Sequence, residues 1–555
     1  MAPVTVCVIG GGPIGMVAMK TFLEEGFQVV GFECRAYLGG LWRGTEDSTI
    51  SAHTTTVFNN SKWRSAFSDF PFNEDADTFP TAAQILQYLE DYASNFGLQE
   101  YYNLSTKVLR MQYSENNQKP WTVTVQDLKS GKVRTQHFDK ICIATGAFQY
   151  PRWPKLKNVE TFQGKVIHSV DFHRPEEFRG QNVLIIGIHG TAQDVCVALE
   201  SHAANHVYMA HRQGLLLLSR FREDGATFDS TTLKETLFMA FLNKNFSRFY
   251  WWLTQKGITK QSQKTYPNIP EEWGLDPAPS IAVRPPVLGD ALWRLLNSGI
   301  AESVPSVRRI TGPKSVELSD GRILENIDSI IYCTGYSSGG MPDDLVFSDG
   351  TETAGCHPHP PGYEFEEPHL YRNIFPLHEN EKIRMSLAYL GLGFVPVPGF
   401  VQYEMTAAAI CQIWKHRTPL PSLREMKDWH AWHLKERDLL QARYSPLDKS
   451  TFYPVFLNLP DQLKWIDWAS GAGIYQNLSS GWVNWRAWKL WLQDRQFYNL
   501  LQNGVFTPAI WRLFKTGKRR AASWDECKQM IISENKRAET ARQARLEASL
   551  FGSKK

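Results

Sequence analysis

The sequence predicts an α/β protein with two Rossmann-like dinucleotide-binding domains, the second inserted into the first, followed by a helical, aromatic-rich C-terminal region. Three observations carry this reading. Residues 4–33 run strand, glycine turn, helix, strand: Val6, Val8 and Ile9 are apolar, Met16 to Glu25 is helical in character, Gly26 stops it, and Val29 to Glu33 is again a strand. The same succession returns at 183–212. Two further apolar strands break at Thr-Gly, Lys140–Gly146 (KICIATG) and Ser329–Gly335 (SIIYCTG), and they flank the second unit. On this reading residues 1–150 begin the first domain. Residues 151–335 form the inserted domain, with its own insertion at about 214–300. The chain returns to the first domain over 336–420, and 421–555 is the C-terminal region. Tyr150-Pro151-Arg152-Trp153-Pro154 suits the linker into the second domain.

Composition limits the functional classes. A chain of 555 residues has room for two or three domains. Lys plus Arg is 60 and Asp plus Glu is 57, a net charge of +3, which excludes a polyanion binder driven by bulk charge. No basic run accompanies a nucleic-acid fold, so no nucleic-acid partner is expected. The 43% apolar content supports large cores. Eight cysteines sit singly with no C-x-x-C, which excludes a zinc finger or dithiol centre of that type and removes the usual redox pair of a disulfide reductase. Single cysteines and a strand pattern beginning at Val4 predict a cytoplasmic protein without a signal peptide. The apolar run Leu387–Val401, free of charged and amide side chains, contains Pro396 and Pro398 and falls short of the ~20 residues of a spanning helix. No transmembrane segment is expected.

The first turn, Gly10-Gly11-Gly12-Pro13-Ile14-Gly15, is a G-x-G-x-x-G sequence between a strand and a helix. Its glycines let the backbone approach a pyrophosphate seated on a helix N-terminus. Glu33, ending the next strand, suits a ribose hydroxyl. The second turn reads Gly187-Ile188-His189-Gly190-Thr191-Ala192. Ala192 suits helix–strand packing at the third place. His189 puts a side chain where the pyrophosphate approaches most closely; it either obstructs the ligand or, protonated, pairs with it. Arg212 ends the following strand where the first unit has an acid. A cation there suits the 2′-phosphate of NADPH; a solvated surface arginine is the alternative.

At this point a family resemblance appears. Phe162-Gln163-Gly164-Lys165-Val166-Ile167-His168-Ser169-Val170-Asp171-Phe172 resembles the F-x-G-x-x-x-H-x-x-x-[FY] fingerprint of flavin-containing monooxygenases. Baeyer–Villiger monooxygenases have a similar fingerprint, usually with Trp at the last place. Gly39-Gly40-Leu41-Trp42-Arg43, Asn59-Asn60-Ser61-Lys62, Phe67-Ser68-Asp69-Phe70-Pro71-Phe72, Thr334-Gly335-Tyr336, Thr507-Pro508 to Arg512-Leu513 and Trp524 match further, so the likeness spans roughly residues 4–530. It implies an FAD domain with an inserted NADPH domain, FAD contacts from Leu41, Trp42, Arg43 and Thr145, and further cofactor contacts from Thr334 and Gly335. It also implies a reaction: NADPH reduces FAD, O2 adds at flavin C4a, and the (hydro)peroxyflavin passes one oxygen atom to a small organic substrate. Asn59 matches the family asparagine near the flavin and the nicotinamide, although its local sequence alone reads as a turn. His168 is expected to link the two domains structurally rather than move a proton. Phe172 and Asn59 favour oxygenation of a nucleophilic nitrogen or sulfur. Baeyer–Villiger oxygenation of a ketone, and a flavoprotein without NADPH turnover, are the alternatives.

Trp482, Trp485, Trp488 and Trp491 repeat every three residues with Arg486, Lys489 and Arg495 among them. A buried helix face is expected, with an interfacial membrane helix as the alternative. Arg537–Ala548 is expected to be a mobile, charged surface helix, without the hydrophobic anchor of membrane-bound animal relatives. Peripheral membrane contact and oligomerisation stay open, and the sequence does not name the substrate.

Overall fold

The computed structural model describes residues 3–44, 50–148, 150–337, 346–347, 355–360, 363, 367–393, 399–444, 457–479, 484–518 and 523–552. Trp482, Pro396 and Pro398 lie outside the described residues.

Two five-stranded parallel sheets organise the chain. In the first, Thr5–Ile9 lies between Gln28–Phe32 and Lys140–Ile143, with Tyr102–Asn103 and Leu387–Tyr389 at the edges. In the second, Asn182–Ile186 lies between His206–His211 and Ser329–Tyr332, with Ala301–Pro305 and Lys165–His168 at the edges. Each central strand therefore has its βαβ partner on one side and a Thr-Gly-ended strand on the other. The connection reverses direction between them, and open parallel sheets bind ligands at the carboxyl ends of such strands. Strands buried on both faces read as continuous apolar runs: Val6, Cys7 and Val8, and likewise Val183, Leu184 and Ile185, are wholly buried.

Helix Pro13–Glu24 follows the first turn and packs on Phe400–Trp414, a helix buried along almost its whole length. That helix in turn packs on Leu459–Ser470. An antiparallel meander, Thr106–Tyr113, Trp121–Asp127 and Val133–Phe138, covers the other side of the first sheet through Met111, Trp121 and Val123. Within the insertion, Thr232 and Glu235 form a reciprocal capping box that starts the helix Leu233–Asn245, and a second helix, Ser247–Thr265, follows directly.

The C-terminal region departs from expectation in two places. Trp485 and Trp488 are 64% and 54% exposed, because helix Trp485–Gln493 buries only Ala487 and Leu490. The stripe is thus not a core face. The charged terminal helix Trp524–Gly552 lies against the body of the protein. Arg537 donates to Phe72 O at 3.2 Å, Arg542 Nε to Asp224 O at 2.9 Å and Arg545 to Gly225 O at 3.0 Å.

Arg512 fastens this region to the first domain. Its guanidinium lies 3.1 Å from Asp69 and 3.1 Å from Glu404 and also pairs with Glu24, while Lys20 pairs with Glu24 and Asp69. Glu404 further accepts Ser68 N at 2.7 Å. Burial acts to raise the Glu24 carboxyl, but Arg512 and Lys20 outweigh it and hold it at about 2. Removing one partner of a buried ionic cluster typically costs about 3–5 kcal/mol, because the remaining charges stay buried without compensation. Arg512→Ala should therefore lower the unfolding free energy by an amount of that order and shift the urea midpoint down, followed by flavin release and tryptophan fluorescence. An unchanged midpoint would show that the cluster contributes little.

Candidate functional site

The carboxyl ends of both sheets open onto one cavity of about 2370 Å³. Single small-molecule sites typically occupy about 300–1,000 Å³, so this cavity has room for more than one ligand.

At the first turn, Gly10 donates its N–H to Phe32 O at 2.8 Å with φ +109°, and a Cβ there would lie 2.6 Å from Ala144 O. A Cβ on Gly15 would lie 1.9 Å from Gly10 O, so that glycine brings helix and strand together beneath the cavity. Gly12 differs. A Cβ there meets only Gly40 Cα, at 3.6 Å, and the residue faces the cavity together with Gly10, Pro13 and Ile14. The backbone therefore leaves room for a Cβ at Gly12, and a ligand on the helix N-terminus would take that space. Glu33 is buried beside the turn; Oε2 accepts Gly11 N at 2.5 Å and Oε1 accepts Arg35 N at 2.7 Å. It rims the cavity, where lone pairs remain for a hydroxyl. Leu41, Trp42 and Thr145 also line it, and Trp42 stands edge-on to Phe58, which stacks on Phe400. Arg43 turns away: it pairs with Glu90 and covers the Tyr37 ring at 4.7 Å.

The second turn repeats the geometry. Gly187 donates to Ala210 O at 2.9 Å with φ +134°, and a Cβ there would lie 2.5 Å from Cys333 O. Ala192 is buried in the packing position, while His189, Gly190, Thr191, Thr334 and Gly335 face the cavity. His189 stands as N-cap of helix Gly190–Ser201. Burial, then Arg284 and His211, lower its ring to about 3, so it is neutral at ordinary pH. Arg212 is exposed on the same wall and close enough to Arg284 to depress its pKa, second to burial.

A family model described as Flavin-binding monooxygenase-like matches residues 4–452. Monooxygenase aurF of Gibberella zeae is 32% identical over 96% of this chain and 97% of its own. Dimethylaniline monooxygenase (N-oxide-forming) 2 of Pan troglodytes is 30% identical over 76% of this chain and 75% of its own. The solved cyclohexanone monooxygenase of Rhodococcus sp. Phi1 bound to NADP+ superposes with a TM-score of 0.59 at 18% identity, covering 86% of this chain and 99% of its own. The chain belongs to the flavin-binding monooxygenase family. It is a monooxygenase.

In this flavin-binding monooxygenase Asn59 and His168 take different surroundings, and Arg284 and Asp194 reach the site with no motif to mark them. Asn59 is exposed on the cavity wall, and its side chain makes no hydrogen bond among the described residues. His168 is wholly buried, accepts Val170 N at 3.2 Å and lies between the Trp153 and Tyr336 rings, away from the cavity wall. Arg284 comes from the insertion, in an Ala-Val-Arg-Pro-Pro stretch with no motif. Asp194 lies on the first turns of helix Gly190–Ser201, where Thr56 Oγ1 donates to Oδ2 at 2.8 Å and Thr55 Oγ1 to the main-chain O at 3.0 Å. It thus joins the 50s loop to the second sheet's helix. No group of three or more His, Cys, Asp or Glu among the described residues is arranged to hold a metal ion. No described helix is long and apolar enough to cross a membrane.

Burial pushes the Asp194 carboxyl up to about 6, against the Thr56 hydrogen bond and Arg220. A raised carboxyl favours the folded state below the unfolded carboxylate range, and that advantage is lost as pH rises through about 6. Asp194→Asn keeps an acceptor for Thr56 without the charge. The variant should be more stable than wild type at pH 8, by about 2–3 kcal/mol and with a correspondingly higher melting temperature, and should match it near pH 4. Parallel melting curves across that interval would place no buried charge at Asp194.

Proposed function

We propose that this chain is an FAD- and NADPH-dependent monooxygenase that inserts one atom of O2 into a small organic substrate at a nucleophilic nitrogen or sulfur. One observation carries the reading: two glycine turns of like geometry, one with an acid and one with cations, open onto a single cavity whose wall includes Asn59. The open cradle at Gly12 fits an FAD pyrophosphate, with Glu33 at its ribose and Leu41, Trp42 and Thr145 along the cavity. At the second turn nothing stands within 4 Å of a Cβ on Gly190, so room for a second pyrophosphate exists beside the neutral His189. The Arg212 charge acts against the Arg284 guanidinium, and the 2′-phosphate of NADPH would relieve that repulsion. When bound, the reduced flavin supplies the activation of O2.

The protein's own residues then hold and shield. Asn59 offers both a donor and an acceptor to the cavity, which suits fixing a polar oxygen group and the nicotinamide amide together. Phe172, at the last place of the fingerprint, packs on His53 and Phe178 at the cavity edge. Phenylalanine there, with Asn59, supports oxygenation at nitrogen or sulfur over a ketone. The N-oxide-forming relative agrees with that choice.

Arg284→Ala and Arg212→Ala should each reduce the preference for NADPH over NADH about tenfold or more, since a charge-assisted contact contributes about 1.5–3 kcal/mol. The ratio of flavin reduction efficiencies measures this, and a ratio unmoved by both variants would place the 2′-phosphate elsewhere.

Anaerobic NADPH should bleach the bound flavin, and air with a panel of amines, sulfides and ketones should then yield an amine or sulfide product heavier by one oxygen. Asn59→Ala should keep FAD and still oxidise NADPH, but release mainly hydrogen peroxide, because one lost donor costs about 2–4 kcal/mol in oxyanion-type sites. Peroxide formed per NADPH consumed is the measurement. Tight coupling in the variant would reduce Asn59 to a turn residue, and ketone products alone would overturn the choice of substrate class.

A further inference from the structure

The cavity wall that includes Asn59 also contains an arginine and an aspartate from distant parts of the chain. Arg64 comes from the short helix Lys62–Ser65 and Asp229 from the insertion; both line the cavity, yet they are only 6% and 7% exposed. Arg64 Nη1 donates to Phe506 O, and the guanidinium lies 5.1 Å over the Phe506 ring. Asp229 Oδ2 accepts Ser61 N at 2.8 Å, which ties the insertion to the loop that carries Asn59. Among the described residues Arg64 Nε and Asp229 Oδ1, both buried, have no hydrogen-bond partner.

A buried polar atom that no protein group meets is expensive, more so on a charged side chain, and in a cavity wall it marks where a ligand supplies the partner. Burial lowers the Arg64 pKa to about 10, against the Asp229 charge, so the guanidinium stays cationic. Arg64 also borders a second cavity of about 20 Å³, lined further by Gln402 and by apolar side chains such as Met405 and Trp511, with room for about one water. A carboxylate ligand would meet Arg64 but bring its charge against Asp229, and an ammonium would do the reverse. A hydroxyl suits both: its oxygen accepts from the guanidinium and its proton goes to the carboxylate. Phe58 and Phe228, next in the chain to Asn59 and Asp229, line the same cavity, and Phe58 stacks on Phe400 at 5.7 Å. An aromatic ring bearing that hydroxyl fits these walls.

We propose that Arg64 and Asp229 form a specificity pair in the reaction cavity and select a hydroxylated aromatic substrate. The hydroxyl bridges guanidinium and carboxylate, and the ring lies along the aromatic wall. The inference rests on the amine or sulfide reading above and narrows it to aryl amines and aryl sulfides that carry a hydroxyl. Binding is read without turnover, so a wrong specificity pair and a wrong oxygenation chemistry give different results.

The test measures equilibrium binding to the full-length, flavin-loaded enzyme through the flavin absorbance spectrum. It compares para-(methylthio)phenol with its methyl ether, with thioanisole and with para-(methylthio)benzoate. The ether keeps the acceptor and loses the proton. Wild type should bind the phenol about tenfold more tightly than each of the others, the factor that a hydrogen bond to a charged group supplies. Asp229→Asn keeps an acceptor for Ser61 N without the charge and should cut the preference for phenol over ether severalfold. Arg64→Gln combined with Asp229→Asn removes both charges, so neither stays buried alone, and should abolish the preference. Melting curves and flavin content report whether these variants fold, and the wild-type comparison needs no variant. Equal binding of phenol and ether by wild type, tighter binding of the benzoate, or an unchanged preference in Asp229→Asn would each overturn the proposal. Tight phenol binding with no sulfoxide formed on turnover would count against the reaction proposed above and leave the pair standing.

Discussion

The structure depends on two places where a glycine lets the backbone of one strand end touch its neighbour. Gly10 against Ala144 O and Gly187 against Cys333 O leave no room for a Cβ, and both glycines hold a positive φ that L side chains rarely adopt. These contacts hold the two turns at the carboxyl edges of their sheets and set each helix N-terminus facing the cavity. The strands that end in Thr-Gly supply the other halves of the same contacts, through Ala144 and Cys333. A side chain at either glycine would push the turn off the sheet and spoil the ledge on which a pyrophosphate can rest.

Upon that common frame the two turns differ electrostatically. The first has a buried acid, Glu33, already bonded to two backbone N–H groups. The second has a neutral histidine in a corner with two arginines, one of them depressed by burial and by the other. A phosphate beside two neighbouring like charges relieves their repulsion, whereas an acid bonded to backbone donors suits a neutral ribose. The asymmetry supports distinct ligands for two otherwise similar turns.

Rigidity is distributed to match. Around the first turn, the Arg512 cluster locks helix Pro13–Glu24, the Phe67–Phe72 segment and helix Phe400–Trp414 into one body. The segment that joins the two sheets beside the cavity is polar and sparse by contrast, resting on Thr55, Thr56 and Asp194 and on ring contacts of His53 and Phe172. The terminal helix spans the first domain and the insertion through Arg537, Arg542 and Arg545. The insertion is thus tied to the terminal helix at Asp224 and Gly225.

The sequence by itself determined the two parallel sheets, the places of both turns, the family and the general class of reaction. Those signals are local: apolar runs, glycine spacing and strand-end residues lie within a few positions of one another, and backbone sterics read them directly. What required the tertiary structure was the destination of long side chains. Arg43 sits in a matching motif yet reaches Glu90 and Tyr37 instead of the cavity, because a flexible guanidinium goes to the nearest carboxylate and ring. Arg284 and Asp194 come to the site from a loop and a helix face that carry no pattern. Trp485 and Trp488 have the period of a buried stripe and are exposed, since period fixes which residues share a face but not what covers it. Only packing between distant segments decides that, and the energy of burial is set by the partner surface rather than by the residue alone.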